Sequence, residues 1–432
     1  VTQAGRGRRF DVFALVALAA HLALALSLRS TAWPEVTTPG YLWSRGWLMY
    51  RDIKLLHTPG TTGTLALGFL AFGPSTWFLR VYAAFWPLLG HFFLLCETRP
   101  FRLLARASAS AFFLVVFFLS EGNAVWPTVV MTAFALPIAG ALSRGRMIRA
   151  GLLIGVIILF KQTAAYLLFL TVLVLLLNRR VRDTLRLVAA ACAPYAAVLA
   201  VFALLGAASD MLKWTVVVPF LVGQDIAQFD VGTLTILNFA ATFLPLAIDA
   251  WLERPGEREP SSRWLLVVAL GLAAIAFPRF SLMNAVGAVP CLALGAARLM
   301  SRPNARISVP ATAFVVLFTV SRGAILFAGG QFDGLVRYWN ENPRFNALIE
   351  RLRTLPPDVR VRSELWENVL PRAERLPPGD VYQHPWLYWF LPIDHTAERM
   401  QAALAKPGTV IVKARDGTST GEIVGPYVIV RR

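Results

Sequence analysis

Residues 32–60 read AWPEVTTPGYLWSRGWLMYRDIKLLHTPG, which sets Glu35, Asp52 and His57 among Trp, Tyr and Pro residues. An apolar run near 11–28 precedes this stretch, and apolar runs recur along most of the chain after it. Aromatic side chains around isolated charges suit a membrane–water interface. The stretch therefore reads as the first outer loop of a many-span membrane protein.

Composition agrees with that reading. Hydrophobic residues make up 56% of 432 positions, more than one soluble core can hold, and several runs are long enough for a bilayer of roughly 30 Å. The formal charge of +17 does not mark a nucleic-acid partner, because the arginines are dispersed between apolar runs. Short cytoplasmic loops collect Lys and Arg. Cys96, Cys192 and Cys291 share no CxxC spacing and give neither a disulfide framework nor a metal signature.

Charged punctuation places the spans. A helix near 11–28 leads outward to the 30–60 loop, a short apolar segment at 61–73 lies along the membrane, and a second span covers 75–95. Glu97, Arg99, Arg102 and Arg106 mark the return to the cytoplasm. Spans near 107–120 and 124–142 turn around Glu121-Gly122-Asn123. The next apolar stretch, Gly151 to Leu177, has Arg149 before it and Arg179, Arg180 and Arg182 after it; it is expected to fold back at Lys161-Gln162-Thr163 as two short helices, the rival being a single tilted helix with Lys161 in mid-membrane and every later loop inverted. Spans near 186–206 and 233–252 follow. Trp264 to Met300 repeats the hairpin around Phe277-Pro278-Arg279-Phe280, and a span near 307–328 exits.

The expected fold is thus an α-helical polytopic membrane protein of about eleven crossings, with residues 1–330 in the membrane part. Residues 331–432 have the composition of a small α/β domain outside the cytoplasm. Leu335–Leu355 carries helical spacing, while Val359–Val361, Thr409–Val412 and Tyr427–Val430 read as strands. This tail has no Gly-rich phosphate loop, HExxH or nucleophile elbow.

On this topology Glu121, Lys161, Gln162, Arg279 and Arg322 lie near the outer ends of spans, level with Glu35, Tyr50, Asp52 and His57. Charges at membrane depth are costly unless they face a partner or a water-filled cavity. Lys161, Arg279 and Arg322 are the candidate phosphate-binding cations, Tyr50, Glu121 and Gln162 the cavity wall, and Asp52, Glu35 and His57 the catalytic candidates. Basic residues would hold and stabilise a lipid phosphate as a leaving group while a carboxylate takes the proton from an attacking hydroxyl.

Gly46-Trp47-Leu48-Met49-Tyr50-Arg51-Asp52 followed by His57-Thr58-Pro59 resembles the G-x-x-x-Y-x-D…H-x-P stretch of bacterial relatives of the protein O-mannosyltransferases, glycosyltransferase family 39. Gly155 to Gln162 and Phe277-Pro278-Arg279-Phe280 are similar to the same group. The resemblance implies a GT-C fold in the bacterial cytoplasmic (inner) membrane, with the amino terminus cytoplasmic and the tail extracytoplasmic. It also implies a polyprenyl-phosphate-linked sugar donor and a cell-envelope glycan, lipid or protein acceptor on the outer face, with no nucleic acid. Many members carry an Asp-Glu pair early in this loop and draw the base from it, whereas this chain has Pro34-Glu35-Val36. That departure leaves Asp52 or Glu35 as the base, or an altered site. No cofactor is required; a divalent cation, Mg or Mn, would suit oxygen ligands at Asp52 and the donor phosphate. A transporter or flippase of lipid-linked substrates, and a noncatalytic scaffold of the same fold, share the pattern of buried charges.

Overall fold

The computed structural model describes residues 11–28, 30–221, 233–254, 261–277, 281–328, 343–365, 368–383, 399, 402–406, 408–415 and 421–431. Helix α1 (Val12–Ser27) leads into the first long connection, which contains strand β1 (Thr31–Ala32), helix α2 (Pro34–Ser44), strand β2 (Ile53–Lys54) and helix α3 (Gly60–Phe72). Helices α4 (Thr76–Glu97) and α5 (Leu103–Leu119), strand β3 (Ala124–Val125), α6 (Thr132–Ser143), α7 (Met147–Phe160), α8 (Ala165–Leu177) and α9 (Val181–Leu204) follow. Then come α10 (Thr233–Leu252), α11 (Ser262–Ala273), the one-turn α12 (Leu282–Ala285), α13 (Val289–Met300) and α14 (Ala305–Ala328).

Side-chain contacts sort the helix termini into two ends. At one, Asp11 meets Arg99 and Arg106, Ser143 meets Ser261, and Arg302 bonds Asp249 at 2.8 Å. This is the basic end. At the other, Thr31 and Ala32 pair in parallel with Ala124 and Val125, and Thr58 Oγ1 donates to the Ile158 carbonyl at 2.9 Å. Among the described residues eleven apolar helices run between the two: α1, α4 to α11, α13 and α14. Some are short; α7, at 14 residues, extends only ~21 Å.

The chain reverses at Lys161. Its extended backbone, φ −153° and ψ 121°, ends α7, and α8 begins four residues on. Two glycines establish the directions of travel. A Cβ at Gly151 would stand 2.3 Å from the Leu187 carbonyl oxygen, and one at Gly155 2.3 Å from that of Ala191. Rising numbers on α7 therefore meet rising numbers on α9, so the two run parallel, and α8 between them must run back. A hairpin built from short helices puts a lysine at its tip instead of in mid-membrane. The second hairpin is closed at the basic end by Arg298 Nη1, which donates to Ser262 Oγ at 3.2 Å.

Lipid-facing surfaces confirm the solvent. On α3 the apolar Leu67, Leu70 and Phe72 are exposed while Thr61 and Thr62 are buried, an inversion of the soluble pattern that suits a lipid environment. His21 and His91, packed within helices α1 and α4, bond each other through their Nδ1 atoms at 3.1 Å, and His91 Nε2 meets Ser110 at 2.9 Å.

Beyond the membrane part lie α15 (Pro343–Arg353), strand β4 (Arg360–Ser363), α16 (Val369–Ala373), β5 (Tyr382–Gln383), β6 (Thr409–Ala414), β7 (Glu422–Val424) and β8 (Tyr427–Arg431). Four strands form a mixed sheet in the order β4-β6-β8-β7, with β4 and β6 parallel and the other pairs antiparallel. The helix expected over 335–355 occupies Pro343–Arg353 among the described residues; the expected boundary at 330/331 lies outside them. β5 leaves this sheet to pair in parallel with β2, Ile53 opposite Tyr382 and Lys54 opposite Gln383. The tail is thereby tied to the loop that carries the candidate chemistry.

Candidate active site

The two hairpin tips meet at one asparagine. Asn284, on α12, accepts from Lys161 Nζ at 2.7 Å and from Trp126 Nε1 at 3.0 Å. Lys161 is buried, and its ammonium lies 5.4 Å from the centroid of the Trp126 ring. A desolvated cation on an aromatic face gains substantially more than an exposed one. Neither Asn284 nor Trp126 stands out in the sequence as a site residue, although an asparagine within an apolar run is itself a signal at membrane depth.

The first outer loop closes over this pair. Gln162 Nε2 donates to the Leu56 carbonyl at 2.6 Å, which fastens the loop to the hairpin tip. The His57 ring stands edge-on to Trp126 at 5.4 Å, and the Trp33 ring is 5.7 Å from Trp126. Tyr50 is fully buried, and its hydroxyl donates to the His57 carbonyl at 2.9 Å. Its φ of +69° is uncommon for a residue with a Cβ. Such strain persists only where surroundings over-determine it, here the burial of the ring and the bond to His57. Burial first, and then the nearby Lys161 charge, hold the His57 imidazole down to about 3, so it is neutral at physiological pH. Trp33 Nε1, His57 Nδ1 and Gln162 Oε1 are buried without a hydrogen-bond partner. Buried polar atoms of this kind call for a ligand or water.

Glu35 sits in the first turn of α2, two residues beyond Trp33. Asn368, from the tail, clamps that turn: its Nδ2 donates to the Ala32 carbonyl at 2.8 Å and its Oδ1 accepts from Thr37 Oγ1. Thr37 Oγ1 also reaches the Trp33 carbonyl at 3.0 Å. The carboxylate of Glu35 is thus carried by backbone fixed on both sides.

The other sequence candidates separate from this cluster. Asp52 turns its carboxylate onto its own turn: Oδ2 accepts the Leu48 N–H at 2.8 Å and Oδ1 meets Arg51 Nε at 3.2 Å. Glu121 is exposed on the turn after α5, with a φ of +55°. Arg322 lies on the far side of α12 from Lys161, where it bonds Asn238. Arg279 lies outside the described residues. The structure brings together Tyr50, His57, Lys161 and Gln162, with Glu35 next to them, and adds Trp33, Trp126 and Asn284.

Among the described residues no three His, Cys, Asp or Glu side chains come together as a metal site.

No family model and no curated protein matches the chain. Among solved structures, ArnT from Cupriavidus metallidurans bound to undecaprenyl phosphate superposes with a TM-score of 0.57 at 15% identity, covering 97% of each chain. The same protein in the apo state gives 0.56 at the same identity and coverage. The fold is therefore that of a GT-C polytopic membrane protein, with the small strand-containing tail.

Proposed function

We propose that the protein is an integral-membrane glycosyltransferase that moves a sugar from a polyprenyl-phosphate donor to a cell-envelope acceptor on the outer face of the cytoplasmic membrane. The observation that carries this reading is the convergence of Lys161, Asn284 and Trp126 at two hairpin tips, roofed by the loop bearing Glu35 and His57. A lipid-linked donor presents a phosphate at this level and a sugar above it. The GT-C fold supports the reading, as does the undecaprenyl phosphate bound to ArnT. Orientation rests on the basic end, which suits the cytoplasmic side.

In the proposed step the acceptor hydroxyl oxygen attacks the anomeric carbon, and the bond from that carbon to the phosphate oxygen breaks. The electron pair leaves on the phosphate, where the Lys161 ammonium offsets the added charge. Glu35 takes the hydroxyl proton. Glu35 is preferred to Asp52 because it lies two residues beyond Trp33, whose ring is 5.7 Å from Trp126, whereas Asp52 holds its carboxylate on its own turn. The Trp33 and Trp126 rings offer faces for a sugar, and the unpartnered polar atoms of His57 and Gln162 offer bonds to its hydroxyls. Neutral His57 can accept or donate one hydrogen bond there without adding charge. A single displacement inverts the anomeric configuration.

The test is incubation of purified protein with a panel of undecaprenyl-phosphate sugars. Release of undecaprenyl phosphate from at least one, with transfer of its sugar to an added acceptor or to water, is expected. No release from any, with undecaprenyl phosphate itself failing to bind, would overturn the reading.

A further inference from the structure

Tyr50 stands between two polar clusters. Its hydroxyl bonds the His57 carbonyl on the side of Lys161, while its own carbonyl accepts from Lys54 Nζ at 3.1 Å. Lys54 is buried, and its ammonium lies 5.7 Å from the centroid of the Trp214 ring. Gln383 holds the same register position as Lys54 across the parallel β2–β5 pair, and register partners project to the same face of a ladder. An indole from the membrane part and an amide from the tail thus gather around one lysine. Trp214 lies in a single wide turn of π-helix, Lys213–Val217, a geometry that recurs at functional sites.

Gln383 is 1% exposed and Trp214 is fully buried, yet Gln383 Nε2, Gln383 Oε1 and Trp214 Nε1 have no hydrogen-bond partner. Buried polar atoms left in this state are costly and call for a ligand or water. Their chemistry selects the ligand. An anion leaves Gln383 Oε1 unmatched, and a cation leaves the N–H donors unmatched; hydroxyl groups, which both donate and accept, satisfy all three. A sugar presents several hydroxyls at once. We propose that Lys54, Gln383 and Trp214 form a subsite for a saccharide unit of the acceptor, which makes the acceptor a glycan. The role of that saccharide as acceptor rests on the glycosyltransferase reading; its binding rests on the cluster alone. Among the described residues β2 and β5 share two residue pairs, a contact small enough to open for the saccharide and close over it.

The experiment titrates the full-length protein in nanodiscs, without donor, with the methyl glycosides of glucose, mannose, galactose and N-acetylglucosamine and with inorganic phosphate, read by ligand-observed NMR. Gln383→Leu removes two atoms that have no partner inside the protein, so its melting temperature should hold or rise. Affinity for the glycoside that binds the parent protein should nonetheless fall about ten- to hundredfold. Trp214→Phe keeps a ring in place and loses one donor, for about a two- to tenfold loss; Gln383→Leu decides alone where Trp214→Phe does not fold. A glutamine that is merely structural, or that holds only water, would change the melting temperature and leave glycoside affinity as it was, which overturns the proposal. Binding of no glycoside, or of phosphate in preference to every glycoside, overturns it too. The two readings fail separately. If glycoside binding follows the expected pattern and no donor releases undecaprenyl phosphate, the saccharide site stands and glycosyl transfer falls; if transfer to a glycoside proceeds with its KM unaltered in Gln383→Leu, the subsite falls and transfer stands.

Discussion

Replacing Lys161 by methionine keeps the length of the side chain and removes its charge. In the folded protein Nζ donates to Asn284 at 2.7 Å, and Asn284 retains its second donor, Trp126 Nε1, at 3.0 Å. Asn284 Oδ1 therefore keeps a donor, and the charge-assisted bond lost should cost folding about 1.5–3 kcal/mol, which the melting profile reads separately. Donor binding is compared on the folded protein. A charge-assisted hydrogen bond to a phosphate contributes about 1.5–3 kcal/mol, a ten- to hundredfold change in Kd. Trp126 supplies the assay, because a phosphate arriving at Lys161 changes the surroundings of an indole 5.4 Å away. Titration of undecaprenyl phosphate against intrinsic fluorescence should show the weakened binding in Lys161→Met, while undecaprenol binds both proteins alike. Equal undecaprenyl phosphate affinity in the two proteins would refute the placement of the phosphate at Lys161.

Glu35→Gln should lower transfer about a hundredfold to ten-thousandfold with an unchanged melting profile. Asp52→Asn retains an acceptor for the Leu48 N–H and loses only a partly exposed pair, so its rate should fall less than tenfold; the reverse ranking would make Asp52 the base. Asn368→Ala removes both clamps on the first turn of α2, costing about 2–3 kcal/mol, and should reduce kcat without altering donor Kd; a parallel change in both would show that the clamp does more than hold Glu35. The His57 imidazole, held at about 3 in the folded chain against 6.5 when unfolded, makes the unfolded chain bind the extra proton between those values. Its contribution to stability is whole above about pH 6.5 and is lost as pH falls toward 3, so His57→Phe should flatten the acid decline in melting temperature. An unchanged slope would remove His57 as its source.

Much of the membrane part was legible because it is governed by local rules. Arginines on both flanks of Gly151–Leu177 favour a reversal over a single tilted helix, and Lys161 is where the helix breaks. The outer loop hid its structure better. Pro34, Pro39 and Gly40 are residue types that punctuate helices, yet they lie in α2, whose Val36, Tyr41 and Leu42 are buried. Proline at the first position of a helix costs little, and tertiary burial supplies what propensity does not. The site was legible in part. Tyr50, His57, Lys161 and Gln162 could be read from charge placement and the loop motif, whereas Asn284 is 123 residues from Lys161 and Asn368 is 331 from Thr37. No local pattern encodes such pairs. Asp52 stands apart for a related reason, since the compact turn that makes it conspicuous also takes up its carboxylate.

The most direct test of glycosyl transfer uses oriented proteoliposomes with a sugar-linked undecaprenyl phosphate supplied on the side of the Glu35 loop. The expected result is release of undecaprenyl phosphate, one for each sugar moved to acceptor or water, in the parent protein and not in Glu35→Gln. Movement of the intact donor across the bilayer without release would contradict the account and identify a transporter built on the same fold.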